Sequence, residues 1–318
     1  MSIEEFNKIL ARQFDKAFVL SGCGDEVEKT SDEINVDSSN DILNRLLAIE
    51  ERLNSVKMRI ERTVKRHGGN NLSKWRSHTK FNHTLKDLPK HILEGVQQRS
   101  LSESAHSLLW TSLYTQAYCK FMELIIAYPE LIACPSSANI NNNDFRTLHL
   151  CEAPGAFVCA LRDALYGKLG NEKRLNSYWH WWMNSLNSGL PLDNAIMNDH
   201  AENMIFSPTG SGDIFEWNEA FIDAFLEKAG GKFALVTADG SVDCTEEPAS
   251  QEASVRKLLA QEVSLGLRCV AVGGNFVLKA FTFLNVDTIT QVLIPLLRNF
   301  QHVVCRKPAA SKPGNSER

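Results

Sequence analysis

The chain has 318 residues, 43% hydrophobic and 23% charged, an ordinary globular balance that excludes a disordered or fibrous protein. The net charge of −4 means that any affinity for a polyanion must come from a local patch and not from the whole-molecule field. Eight cysteines without a C-x-x-C pair disfavour zinc and a disulfide framework, and suit a reducing compartment, the nucleus or the cytoplasm. The start, MSIEEFNKIL, is acidic and amphipathic, unlike a signal peptide, and no apolar run approaches the roughly 20 residues of a membrane helix.

Residues 1–40 carry no recognisable pattern beyond an acidic, polar stretch from Asp25 to Asp41 that reads as a solvated loop. Residues 41–103 form a basic helical region. Leu43, Leu46, Leu47, Leu53, Val56, Ile60 and Val64 recur at helical spacing until Gly68-Gly69. From Arg52 to Lys90 only Glu61 and Asp87 oppose a run of lysines and arginines, interleaved with Trp75 and Phe81. A solvated helix face accounts for such charges; so does a path for nucleic-acid phosphates.

From about Ser104 to the end the pattern alternates. The order is a long helix over 104–128, a strand FRTLHLC, a helix from Gly155 to Gly170, and a second strand NSYWHWWMN. A helix over 214–231, the strand KFALVTAD, a helix over 250–268 and the strand CVAVGGNFVLKAF follow. A helix over 286–300 and a last strand QHVVCRKP close the series. Strands alternating with helices predict a doubly wound α/β sheet.

Three polar positions stand at strand ends. The first strand stops at Glu152 and turns through Ala153-Pro154-Gly155; the next but one ends in Asp239-Gly240; the one after delivers Lys279. Ligands of open α/β sheets bind at such carboxyl ends. The absence of G-x-G-x-x-G disfavours a nicotinamide dinucleotide. A lysine in so apolar a run as FVLKAFTFL is costly unless it has a task.

LCEAPGAF, TADGS, GGNFVLKAF and KPAASKPGNSE, in this order, resemble the FtsJ-like ribose 2′-O-methyltransferases, which use S-adenosylmethionine. TQAYCKF, YWHWWMNSLN and FSPTGSGDI point to the adrift-type branch, which acts on capped mRNA. The resemblance covers about Asp41 onward. It implies a Rossmann-like fold behind an N-terminal helical region, and methylation of the second transcribed nucleotide of capped mRNA, cap-1 to cap-2. Action on ribosomal or transfer RNA, or a non-catalytic remnant that binds RNA or cofactor, are the alternatives.

The resemblance also assigns a catalytic tetrad: Lys120, Asp239, Lys279 and Glu317. Cofactor contacts fall on Gly155, Trp179, Asp239 and Asp199, the last as a partner of the adenine amino group. No metal is implied. A ribose hydroxyl is a poor nucleophile, so Lys279 must act as an amine, a form favoured by partial burial and by the neighbouring cation of Lys120. In two respects the sequence departs from the family. The second strand lacks the acid that commonly meets the cofactor ribose, with Asn184, Asn187 or Trp179 in its place. The family's glutamate opens a final antiparallel strand between the fifth and sixth. This sequence stops at Arg318, one residue after Glu317, so that strand is expected to be missing and the 318-residue form only weakly active.

Overall fold

The computed structural model describes residues 18–21, positions scattered between 44 and 62, 85–94 except 93, 110–134, 144–187, Ile196, 200–242 and 251–311 except 284. Six strands are present among them: β1 (Phe18–Ser21), β2 (Phe145–Leu150), β3 (Trp179–Met183), β4 (Phe233–Ala238), β5 (Val270–Leu278) and β6 (His302–Cys305). The helices are α1 (Gln116–Ala127), α2 (Ala156–Leu169), α3 (Glu172–Tyr178), α4 (Glu219–Lys228), α5 (Gln251–Cys269), α6 (Val286–Thr288) and α7 (Ile294–Asn299). A π-helical stretch, Ile289–Leu293, joins α6 to α7, directly before Pro295, which has no N–H to offer a regular helix.

Strands β3, β2, β4 and β5 pair in that order, all parallel, as the alternation predicts. Strand order reverses between β2 and β4, which opens a crevice at their carboxyl ends. Both β2 and β4 are buried at every position; β4 reads as a nearly continuous apolar run, whereas β2 also buries Arg146, Thr147 and His149. One core layer joins α1, α2 and α3 to the sheet through Phe121, Phe157, Leu161 and Phe145; the other joins α4 and α5 through Phe225, Leu265, Leu148 and Leu150. Among the described residues no helix is long and apolar enough to cross a membrane.

Three expectations are corrected. The helix read over 104–128 is broken: Thr111–Leu113 is a separate 3-10 turn, and α1 starts only after Thr115, whose hydroxyl accepts the Tyr118 N–H. Residues 104–109 lie outside the described residues. The segment Asn176–Tyr178, read as strand, is the end of α3, whose Asn171 cap sets the helix in motion. The last strand, β6, does not join the parallel sheet. It pairs antiparallel with β1, so the unrecognised first 40 residues contribute a strand.

Candidate active site

The backbone ladder runs on past the strands and places the two reactive side chains. Asp239 N–H donates to Leu150 O (3.2 Å) and Lys279 N–H to Ala238 O (2.9 Å), so the residues after β4 and β5 stand side by side. Lys279 Nζ donates to Asp239 Oδ1 at 2.8 Å and to the Asp239 carbonyl at 2.6 Å. The side chains are 15% and 21% exposed, partly withdrawn from water yet open to a ligand. An ammonium has three donors, so one direction remains for a third partner.

Lys120, on α1, lines the same cavity of about 330 Å³ as Asp239 and Lys279. The cavity lies between β5 and β6 and is walled by Leu124, Phe157, Phe276 and Phe300. Apolar walls strengthen the electrostatics between the charged groups they enclose. Of the tetrad that the resemblance implies, three residues therefore meet at one cavity. Glu317 lies outside the described residues, as does Asp199.

The turn after β2 is built without a conventional cap. Cys151 adopts φ 54°, a left-handed conformation unusual for a side chain with a Cβ, and Ala153-Pro154 is cis. Gly155 follows at φ 109°, and its N–H donates to Glu152 O at 2.7 Å. A Cβ at Gly155 would sit 2.7 Å from Ile196 Cδ1, and φ 109° is strained for a residue with a side chain, so the turn packs as it does only with glycine there. Glu152 itself is 2% exposed. Its Oε1 accepts the Phe157 N–H at 2.6 Å and ties down the first turn of α2. Its Oε2 has no hydrogen-bond partner among the described residues. Burial, then the nearby Asp239 charge, raises this carboxyl well above the usual range. Sequence reasoning took Glu152 only as the acid that stops the strand. The signal was present, since an acid inside an otherwise apolar strand end has to be satisfied or used.

Trp179 is not at the site. It is the first residue of β3, paired with Phe145 at the amino end of the sheet, while Gly155 and Asp239 lie at the carboxyl ends. Its indole Nε1 donates to Thr147 Oγ1 at 2.9 Å in the core. The assignment failed because the helix runs on to Tyr178 and moves the strand start toward the tryptophans. Asn184, one of the replacements for the missing acid, is wholly committed to structure. Its Nδ2 donates to Ile205 O and Gly212 O, and its Oδ1 accepts the Cys151 N–H. Asn187 is likewise engaged with the 210–211 turn, by its N–H to Ser211 O and its Nδ2 to Gly210 O.

Beneath the site runs a buried polar row. His149, fully buried, joins Thr147 Oγ1 (3.0 Å) to Thr237 Oγ1 (2.8 Å) across β2 and β4. Burial lowers its imidazole to about 3, from an ordinary value near 6.5. The unfolded chain therefore binds a proton there between about pH 6.5 and 3 that the folded chain does not. This contribution to stability is lost as pH falls through that window, with a slope of at most about 1.4 kcal/mol per pH unit. His149→Gln, which does not titrate, is expected to flatten the stability curve between pH 6.5 and 4.5, measured by urea unfolding. An unchanged slope would show that the histidine is not held neutral.

Residues 115–318 match the FtsJ-like methyltransferase family. The chain is similar to the cap-specific mRNA (nucleoside-2′-O-)-methyltransferase 2 of Mus musculus, 31% identical over 86% of this chain and 33% of the relative. It is similar to the Drosophila melanogaster protein of that name, 34% identical over 64% of the chain and 29% of the relative. A cap-specific mRNA (nucleoside-2′-O-)-methyltransferase of Autographa californica nuclear polyhedrosis virus is 40% identical over 36% of the chain and 42% of the relative. The chain thus spans about a third of the length of the first two proteins, 33% and 29%.

Proposed function

The chain belongs to the FtsJ-like methyltransferase family, and on that premise we propose that it methylates the ribose 2′-OH of the second transcribed nucleotide of capped mRNA, with S-adenosylmethionine as donor. The observation that carries the reading is the Lys279–Asp239 pair at the carboxyl ends of adjacent parallel strands, beside the Gly155 turn. The names of the similar proteins support the capped substrate.

The residues present fit the cofactor. Asp239, and Glu152 whose Oε2 has no hydrogen-bond partner among the described residues, would offer carboxyl oxygens to the ammonium end of the cofactor. Gly155, at φ 109°, makes the tight turn after β2 at which the cofactor would sit. Bound S-adenosylmethionine supplies an electrophilic methyl group on sulfur. Lys279 Nζ, as the amine, would accept the 2′-OH proton and so free the ribose oxygen to take the methyl group that the cofactor would supply. Asp239 fixes the direction of that amine. A positioned base of this kind is worth about 10²–10⁴-fold in rate, with alignment of the reacting atoms adding to it. Glu317 would orient the ribose and Asp199 would meet the adenine amino group. The free thiols among the described cysteines suit a reducing compartment, and we propose the nucleus or the cytoplasm.

The test is methyl transfer to capped RNA already methylated at its first nucleotide, run beside uncapped RNA, ribosomal RNA and transfer RNA. Transfer to the capped substrate alone is expected. Transfer to uncapped RNA would move the reading to another RNA, and no transfer with cofactor bound would leave a binding remnant.

The basic region is the proposed RNA path. Its end docks on the helix that carries Lys120: Gln116 Nε2 donates to Leu85 O (3.2 Å) and Lys86 O (2.8 Å), and Leu88 and Ile92 pack on the core. Arg52, Lys86 and Lys90 are exposed. Lys74, Arg76 and Lys80 lie outside the described residues. Reversing these three to glutamate should weaken RNA binding and lower the salt slope by about 2, with cofactor affinity unchanged. Unchanged RNA affinity would reduce the segment to a solvated face.

A further inference from the structure

Glu262 lies within α5 and is fully enclosed, at 0% exposure. Its Oε1 accepts the Gly240 N–H at 2.9 Å. A Cβ at Gly240 would collide with that oxygen, so the absent side chain at 240 is what admits the carboxyl. Gly240 N–H and the Asp239 carbonyl belong to one peptide group. That group is held at both ends, its N–H by Glu262 and its C=O by Lys279 Nζ at 2.6 Å. Rotation of this peptide would break both bonds and leave Lys279 held only by the Asp239 carboxylate at 2.8 Å.

We propose that Glu262 is a positioning residue for methyl transfer, which locks the Asp239–Gly240 peptide so that its carbonyl holds the Lys279 amine on the ribose hydroxyl. The proposal rests on the reading of Lys279 as the base. Burial pushes the Glu262 carboxyl up to about 8, against the opposing influence of the Gly240 N–H and of Lys279. At neutral pH it is a neutral acceptor, not a counter-charge, so an amide of the same shape can replace it.

Glu262→Gln and Glu262→Leu in the full chain separate the possibilities. Glutamine is expected to keep kcat within about threefold. Leucine, of similar volume but without an acceptor, should lower kcat by about 10–100-fold, with KM for cofactor and RNA changed less than about threefold. Amide exchange at Gly240 reads the clamp without any turnover: protection should persist in Glu262→Gln and collapse in Glu262→Leu. Protection retained in Glu262→Leu would overturn the clamp. Loss of kcat equal in both variants would overturn the neutral-acceptor role. Unchanged kcat in a folded Glu262→Leu protein would overturn positioning. If the wild-type chain transfers no methyl to any RNA, the reading of Lys279 as the base fails, and with it the positioning role; Gly240 exchange then shows whether the clamp itself stands.

Discussion

Lys279→Ala is expected to lower methyl transfer by about 10³-fold or more, while S-adenosylmethionine still binds. The lysine contributes to two effects at once. As a base it removes the hydroxyl proton, and through its contacts with Asp239 Oδ1 and the Asp239 carbonyl it is held in a fixed direction. Lys279→Arg should be equally inactive, because a guanidinium stays protonated near neutral pH and cannot accept a proton. Lys120→Ala, in the lining of the same cavity, should be severe in turnover and mild in binding. Single-turnover transfer to capped RNA, with calorimetry for the cofactor, separates chemistry from binding. An arginine variant with full activity would show that proton removal is not the task of this residue.

Gly212→Ala is expected to cost about 3 kcal/mol or more and to lower Tm by about 10 °C. Gly212 has φ 76°, where a Cβ is strained, and that Cβ would be driven into the Ser185 carbonyl oxygen, backbone against backbone. A flexible side chain could yield; this oxygen cannot without moving the chain after β3. The glycine also anchors its loop, since its carbonyl accepts from Asn184 Nδ2 at 3.0 Å and its N–H donates to Ser207 Oγ at 3.2 Å. Asn184 in turn holds Cys151 at the start of the cofactor turn. Cofactor affinity should therefore fall together with stability. Thermal unfolding with and without S-adenosylhomocysteine checks both, and an alanine variant as stable as wild type would mean that the loop can re-form around a new side chain.

The sequence by itself determined the elements and the polar residues at their ends. The order of β2, β4 and β5, the Gly155 turn, and Asp239 and Lys279 as strand-end residues are local facts, visible because short apolar-rich segments alternate with helical patterns and each ends at a charged residue or a turn. Only the tertiary structure decided the rest. Trp179 was credited to the site because nothing local says which end of a strand of three tryptophans and a histidine faces the crevice; the length of α3 does. β6 looked like a fifth parallel strand, yet its pairing with Phe18–Ser21 depends on residues nearly 300 positions away. Glu152 and Glu262 are ordinary acids in the sequence. Enclosure in the fold removes them from water, and a carboxyl without water must find a backbone N–H or hold a proton, which turns both into parts of the site.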